Sequence, residues 1–123
     1  MWDIGWTDEF EEWILSDDVD ASVREDVRAC LVVLREIGPS LGRPLADTIK
    51  GSRHPNMKEL RVQSKGRPIR LFYAFDPQRK AMLLIGGNKQ GQKRFYEVYV
   101  PIADRLFDQY LEECKHGGAK RKT

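Results

Sequence analysis

Three basic and aromatic segments lie between residues 57 and 99: Met57-Lys58-Glu59-Leu60-Arg61, Ile69-Arg70-Leu71-Phe72-Tyr73, and the run from Lys89 to Tyr99. The last reads Lys89-Gln90-Gly91-Gln92-Lys93-Arg94-Phe95-Tyr96-Glu97-Val98-Tyr99. Cations that neutralise phosphate, interleaved with rings that stack on bases, are the side chains needed to hold single-stranded RNA. The RNA-contacting candidates are Lys58, Phe72, Arg94, Phe95 and Tyr96. Arg61, Arg70, Lys89 and Lys93 are the candidates for the phosphate itself. Taken singly, each has a plainer reading: Arg61 and Arg70 as solvent-facing strand residues, the lysines as a solvated loop, the aromatics as packing. Their combination is more specific than any member.

Other chemistries find less support. His54 and His116 are far apart and lack ligand-type neighbours, so no metal and no cofactor are expected. Gly86-Gly87-Asn88-Lys89 is too short for a nucleotide-binding loop and opens onto no helix at the required spacing. No Gly-x-Ser-x-Gly element or convincing Ser/His/Asp set occurs.

The chain has 123 residues, 41% hydrophobic and 33% charged, which fits one soluble domain with a core of its own. A single domain over 1–116 and a basic tail over 117–123 are expected. No apolar stretch is long enough to span a bilayer. Met1-Trp2-Asp3-Ile4 carries no basic leader or signal core, so a cytoplasmic protein is expected. Cys30 and Cys114 fall among helical apolar positions and read as reduced core residues. The net charge of +2 conceals an asymmetry: residues 1–36 balance at −8 and residues 37–100 at +9. A basic middle facing a polyanion, with the acidic end elsewhere on the surface, accounts for that distribution.

The elements that must position the basic segments read as α+β. Trp2 to Trp6 alternates as a short strand, and Thr7 before Asp8 and Glu9 starts a helix that places Phe10, Trp13 and Ile14 on one face. Asp17-Asp18 breaks it. Val23, Val27, Cys30, Leu31 and Leu34 then form the apolar stripe of a second helix, which Gly38-Pro39 ends. Gly42 and Pro44 make the next stretch irregular. Three strands follow at 57–63, 69–75 and 81–85, with turns at Lys65-Gly66 and Asp76-Pro77, so antiparallel hairpins are expected. The continuously apolar Ala81 to Ile85 reads as a central strand covered on both faces, leaving by a loop at Gly86-Gly87. Ile102, Leu106, Tyr110 and Cys114 mark a closing helix, and Pro101 in its first turn sets the start near Val98 to Val100. Alternation puts Leu60, Val62, Ile69, Leu71, Tyr73 and Phe75 on the core face, with the stem of Lys58 alongside. Met57, Glu59, Arg61, Gln63, Arg70 and Phe72 take the opposite face, expected to be open. The Gly86-Gly87 exit then delivers Lys89, Lys93 and Arg94 to one end of it.

Over residues 49–111 these segments resemble the RelE/ParE toxin superfamily of toxin–antitoxin systems, most closely its HigB-like (phage Gp49-like) branch. The resemblance rests on Asn56-Met57-Lys58-Glu59-Leu60-Arg61, on Arg70 to Pro77, on the apolar strand Ala81 to Ile85, on Lys89-x-x-x-Lys93, and on the closing amphipathic helix. It implies a small antiparallel sheet packed against N-terminal helices and a C-terminal helix. It also implies a metal-independent mRNA endoribonuclease that works in the ribosome and inhibits translation. The partners implied are the ribosome, mRNA and a cognate antitoxin of helix-turn-helix type (HigA-like), with DNA reached only through that antitoxin and no membrane. Carried over by position, the catalytic set is Arg61, Arg70, Lys89, Lys93 and Tyr99, with Tyr96 a rival to Tyr99. RelE has lysines where Met57 and Glu59 stand here. A ParE-like inhibitor of DNA gyrase and a non-catalytic RNA- or partner-binding module are the alternatives on the same fold.

Overall fold

Thr7 starts the first helix, and its side chain also ties that helix to the far side of the sheet. The hydroxyl oxygen accepts the Phe10 amide at 3.0 Å, the N-cap bond, while the hydroxyl proton is donated to the Leu84 carbonyl at 2.6 Å. The computed structural model describes residues 1–116, so the expected basic tail lies outside the described residues. In chain order these form β1 (Ile4–Trp6), α1 (Asp8–Ile14), α2 (Ala21–Ile37), a 3-10 turn (Gly38–Ser40), β2 (Ala46–Thr48), β3 (Lys58–Ser64), β4 (Arg67–Phe75), β5 (Ala81–Asn88) and α3 (Phe95–Lys115). Among them no helix is long and apolar enough to cross a membrane.

The fold is α+β, as expected, with one mixed sheet in the order β1-β5-β4-β3-β2. The hairpins are antiparallel, but β1 lies parallel to β5. β2 was not legible: its three residues follow Gly42 and Pro44, and pairing to β3 makes them a strand. Lys65 and Gly66 both have positive φ (52° and 79°), the two-residue turn whose twist suits a hairpin. The Asp76 carbonyl accepts the Arg79 amide at 2.8 Å, closing the second turn, and the Asp76 carboxylate accepts the Tyr110 hydroxyl at 2.6 Å from α3.

Two cores flank the sheet. On one face Leu60, Val62, Ile69, Leu71, Tyr73 and Leu83 pack with Phe10 of α1 and Val23, Val27 and Leu34 of α2. On the other, Met57, Phe72, Ala74, Met82 and Leu84 pack with Phe95, Leu106, Phe107 and Tyr110 of α3. Cys30 and Cys114 belong to opposite cores and are free thiols. Alternation therefore sorted the side chains of β3 and β4 to the correct sides, but the second face is not open. It is covered because α3 begins at Phe95, earlier than Pro101 suggests. Pro101 sits inside the helix on its exposed side, where the Glu97 carbonyl that loses its amide partner meets water.

β5 departs from simple alternation. Phe72 pairs with Ile85 but Tyr73 pairs with Leu83, leaving Leu84 as an extra residue, a β-bulge whose carbonyl Thr7 takes up. The strand then runs on through Gly86 and Gly87 to Asn88, where a loop was expected. These glycines admit rings from both sides: a Cβ on Gly86 would stand 2.3 Å from the Trp13 ring, and one on Gly87 would stand 2.8 Å from the Tyr99 ring. The bulge decides which ring meets which glycine.

Candidate catalytic cluster

On the α3 side of the sheet, Arg61 of β3 and Arg70 of β4 are direct cross-strand partners, and Glu59 lies opposite Phe72. Two like charges facing each other across a ladder repel. Glu59 offsets the repulsion: its Oε1 lies 3.6 Å from Arg70 Nε, and both side chains are buried. Arg70 Nη1 donates to the Ile69 carbonyl at 3.2 Å, while its Nε has no hydrogen-bond partner among the described residues. The first turn of α3 closes the group from above. The Tyr96 hydroxyl donates to Glu59 Oε1 at 2.7 Å, and Lys89 Nζ stands 5.4 Å from the centre of the Tyr96 ring, within cation–π range.

Burial raises the Tyr96 phenol above its ordinary value and the Glu59 hydrogen bond adds to this, with Arg70 opposing. Tyr96 is therefore protonated at neutral pH, with its proton directed at a carboxylate. Half-buried Arg61, Lys89 and Tyr96 form the accessible rim, and the Glu59–Arg70 pair lies beneath them. The Arg61 amide donates to the Leu45 carbonyl at 2.8 Å, whereas its guanidinium, with Asp47 the nearby carboxylate, makes no side-chain hydrogen bond or ion pair among the described residues and is available to an incoming anion.

Tyr99 packs flat against Phe72 (centroids 6.0 Å apart, 8° between planes) and Phe95 (4.4 Å, 23°). It lies over Gly87, which is paired with Arg70. Phe72 and Phe95 are corrections to the RNA-contacting set. They are 0% and 1% exposed, so neither offers a face to a base; they form the shelf on which Tyr96 and Tyr99 rest. Lys58 is also separated from the cluster, since it pairs with Tyr73 and points to the α1–α2 side. Arg70 is a further correction: it belongs to the cluster but is buried, not on an open face. Lys93 and Arg94 are exposed in the turn that leads into α3, where Arg94 Nε donates to Glu97 at 3.0 Å.

Arg61, Arg70, Lys89, Tyr96 and Tyr99 thus converge. Sequence reasoning passed over Glu59, although a signal existed: it is one of few acids in the basic middle of the chain, and alternation put it beside Arg61. Elsewhere, His54 accepts no ligand role, because its Nε2 pairs with Asp108 at 2.7 Å and its ring packs edge-on against Phe107. Among the described residues no three His, Cys, Asp or Glu side chains gather as a metal-binding group.

The sequence profile of the phage-derived Gp49-like protein family (DUF891) matches residues 15–108, a span that contains every member of this cluster. The chain belongs to the Gp49-like, HigB-type toxin family. Among its relatives in Mycobacterium tuberculosis (strain ATCC 25618 / H37Rv), the putative toxin HigB2 is 42% identical over 124 residues, covering 97% of this chain. The chain spans only 61% of the length of HigB2. The putative toxin HigB3 of the same organism is 42% identical over 109 residues, covering 88% of this chain and 91% of HigB3. In this chain the β3–β4–α3 arrangement brings Arg61 and Lys89 beside the Tyr96–Glu59 hydrogen bond.

Proposed function

We propose that this HigB-type chain is the toxin of a toxin–antitoxin pair. In this reading it is an endoribonuclease that cuts mRNA positioned by the ribosome in the cytoplasm, and a cognate antitoxin of helix-turn-helix type neutralises it. The observation that carries the reading is the Tyr96 hydroxyl bonded to buried Glu59 beneath a rim of Arg61 and Lys89.

The step is a transesterification. The RNA 2′-oxygen bonds to the adjacent phosphorus and the bond from phosphorus to the 5′-oxygen breaks, leaving a 2′,3′-cyclic phosphate and a 5′-hydroxyl. The 2′-hydroxyl proton passes to the Tyr96 oxygen as the Tyr96 proton passes to Glu59, so the carboxylate is the final base and Tyr96 the relay. The Lys89 ammonium protonates the leaving 5′-oxygen. The Arg61 guanidinium faces the charge that accumulates on the phosphorane-like transition state. Arg70 holds Glu59, and Tyr99 supports the Tyr96 turn through Phe95. Lys93 and Arg94 draw the strand in. Without an imidazole in the cluster, proton transfer on free RNA is slow, and fixation of the codon by the ribosome supplies the geometry.

Mapping mRNA ends after brief induction tests this. Discrete, codon-linked cuts with cyclic-phosphate termini are expected, falling about 100-fold or more in Tyr96→Phe. Intact mRNA with DNA damage would instead point to gyrase, and neither lesion to a binding module. Wild-type cutting by Tyr96→Phe would remove the relay while leaving the nuclease.

A further inference from the structure

Beside the cluster, a cleft of about 260 Å³ opens between the α1–α2 turn and the end of β5, with Trp13, Tyr99, Asn88 and Gln92 among its walls. We propose that this cleft holds a nucleobase of the RNA strand, the one next to the phosphate that Arg61 and Lys89 receive. The proposal rests on the nuclease reading and adds to it a base-binding subsite.

The floor is bare strand. β1 pairs with β5 only as far as Leu83, so Gly86 to Asn88 have no strand on their outer side. The Lys89 amide donates to the Pro68 carbonyl at 2.9 Å, which fixes the hydrogen-bonded positions of the β4–β5 ladder. By the alternation of an antiparallel pair, the peptide groups of Asn88 then point away from β4, toward the free edge. The Asn88 carbonyl takes the Gln92 Nε2 proton at 3.2 Å, which leaves the Asn88 amide and the Gln92 Oε1 for a ligand. A donor and an acceptor side by side at a strand edge match the hydrogen-bonding edge of a base.

The walls are aromatic. Trp13 and Tyr99 reach the cleft from opposite sides of β5, each over one of the two glycines, and both are half-buried, so aromatic surface borders the cleft where a base would pack. Charge argues for a base over a phosphate here. Arg67, the cation on the rim, is already held by Asp20 at 2.9 and 3.3 Å and keeps that carboxyl at about 2, and Asp18 stands beside it. The cluster's own cations, Arg61 and Lys89, lie with Arg70 and Tyr96 on the α3 side of the sheet. Tyr99 and Gly87 belong to both sites, since Gly87 pairs with Arg70, so a strand laid across the rim places one phosphate at Arg61 and its neighbouring base at Tyr99.

The test is an amide and indole NMR titration of the full chain with adenosine, guanosine, cytidine and uridine 5′-monophosphates, and with ribose 5-phosphate. At least one nucleotide should shift Gly87, Asn88, Gln92 and the Trp13 indole, while ribose 5-phosphate leaves them in place. Gln92→Ala, at an exposed position, should raise the apparent Kd about threefold or more through one lost hydrogen bond. The proposal is overturned if ribose 5-phosphate reproduces the shifts, if no nucleotide moves these signals, or if Gln92→Ala binds as well as the parent. Binding needs no cleavage. Shifts without any mRNA cuts would retire the nuclease and keep a base-binding cleft, whereas cuts without shifts would retire the cleft alone.

Discussion

Replacing Glu59 by leucine removes the carboxylate paired with buried Arg70 and leaves that guanidinium in the core without an ion-pair partner among the described residues. Arg70 is 5% exposed at its side chain and Glu59 8%, so water cannot take over the partner's role. At 3.6 Å the gross attraction is about 4–5 kcal/mol for an effective dielectric near 20. Breaking one side of a buried pair costs about 3–5 kcal/mol. The lower end applies, because Arg70 Nε lies beyond hydrogen-bonding distance of Glu59 and is already unpartnered. Glu59→Leu should therefore cost about 3 kcal/mol. Arg70→Met should cost slightly less, since Glu59 keeps the Tyr96 hydrogen bond. In the double variant both charges are gone and an apolar pair fills the space, so the net loss should fall within about 1 kcal/mol of the parent. Urea midpoints at constant slope measure all three, and the coupling should reach at least about 3 kcal/mol. Additive single costs, or a Glu59→Leu penalty under about 1 kcal/mol, would refute the claim that this pair is a buried, mutually dependent unit. The stable double variant should also be inactive in the end-mapping assay, which separates the cluster's chemistry from its contribution to folding.

Thr7→Val keeps the shape of the side chain but loses both hydroxyl bonds, and should cost about 2 kcal/mol by thermal or urea unfolding. Tyr73→Phe should be neutral or stabilising by up to about 1 kcal/mol, because the Tyr73 hydroxyl is buried without a partner. Tyr110→Phe should instead cost about 1–2 kcal/mol, because Asp76 Oδ2 loses its donor while Oδ1 keeps the Gln78 and Lys80 amides. Both phenols are raised, Tyr73 by burial and Tyr110 by burial and then by Asp76, so the folded state keeps protons that the unfolded chain releases above about pH 10. Their contribution should be constant below that pH and stability should fall as pH rises through it, less steeply in either phenylalanine variant. Gly86→Ala should destabilise by about 1–3 kcal/mol, more than Gly87→Ala, because its Cβ meets the Trp13 ring more closely than that of Gly87 meets the end of Tyr99. Gly42→Ala, with nothing within 4 Å, should be close to neutral.

The legible parts of the fold were those governed by short-range chemistry. Thr7, Lys65-Gly66 and Asp76-Pro77 each announce a cap or a turn, and alternation placed Leu60, Val62 and Leu71 against α1 and α2. What the sequence hides is long-range. Pro101 looks like a helix start because its missing amide is tolerated there, yet an exposed interior site tolerates it too. The early start of α3 turned Phe72, Phe95 and Arg70 from surface candidates into interior ones. The extra residue at Leu84 leaves no mark in an apolar run, so the relation of Gly87 to Arg70 was invisible. Glu59 was passed over because its value depends on a tyrosine 37 positions away.

Thr7 and Leu84 are 77 positions apart, and β1 finds its parallel partner only after β5 exists. During synthesis the N-terminal strand must wait, while the hairpins of β3, β4 and β5 pair locally. Glu59 and Arg70 are made before α3 and lack Tyr96 until that helix emerges. A nascent chain therefore carries no complete cluster until α3 has left the ribosome, after its hairpins have paired.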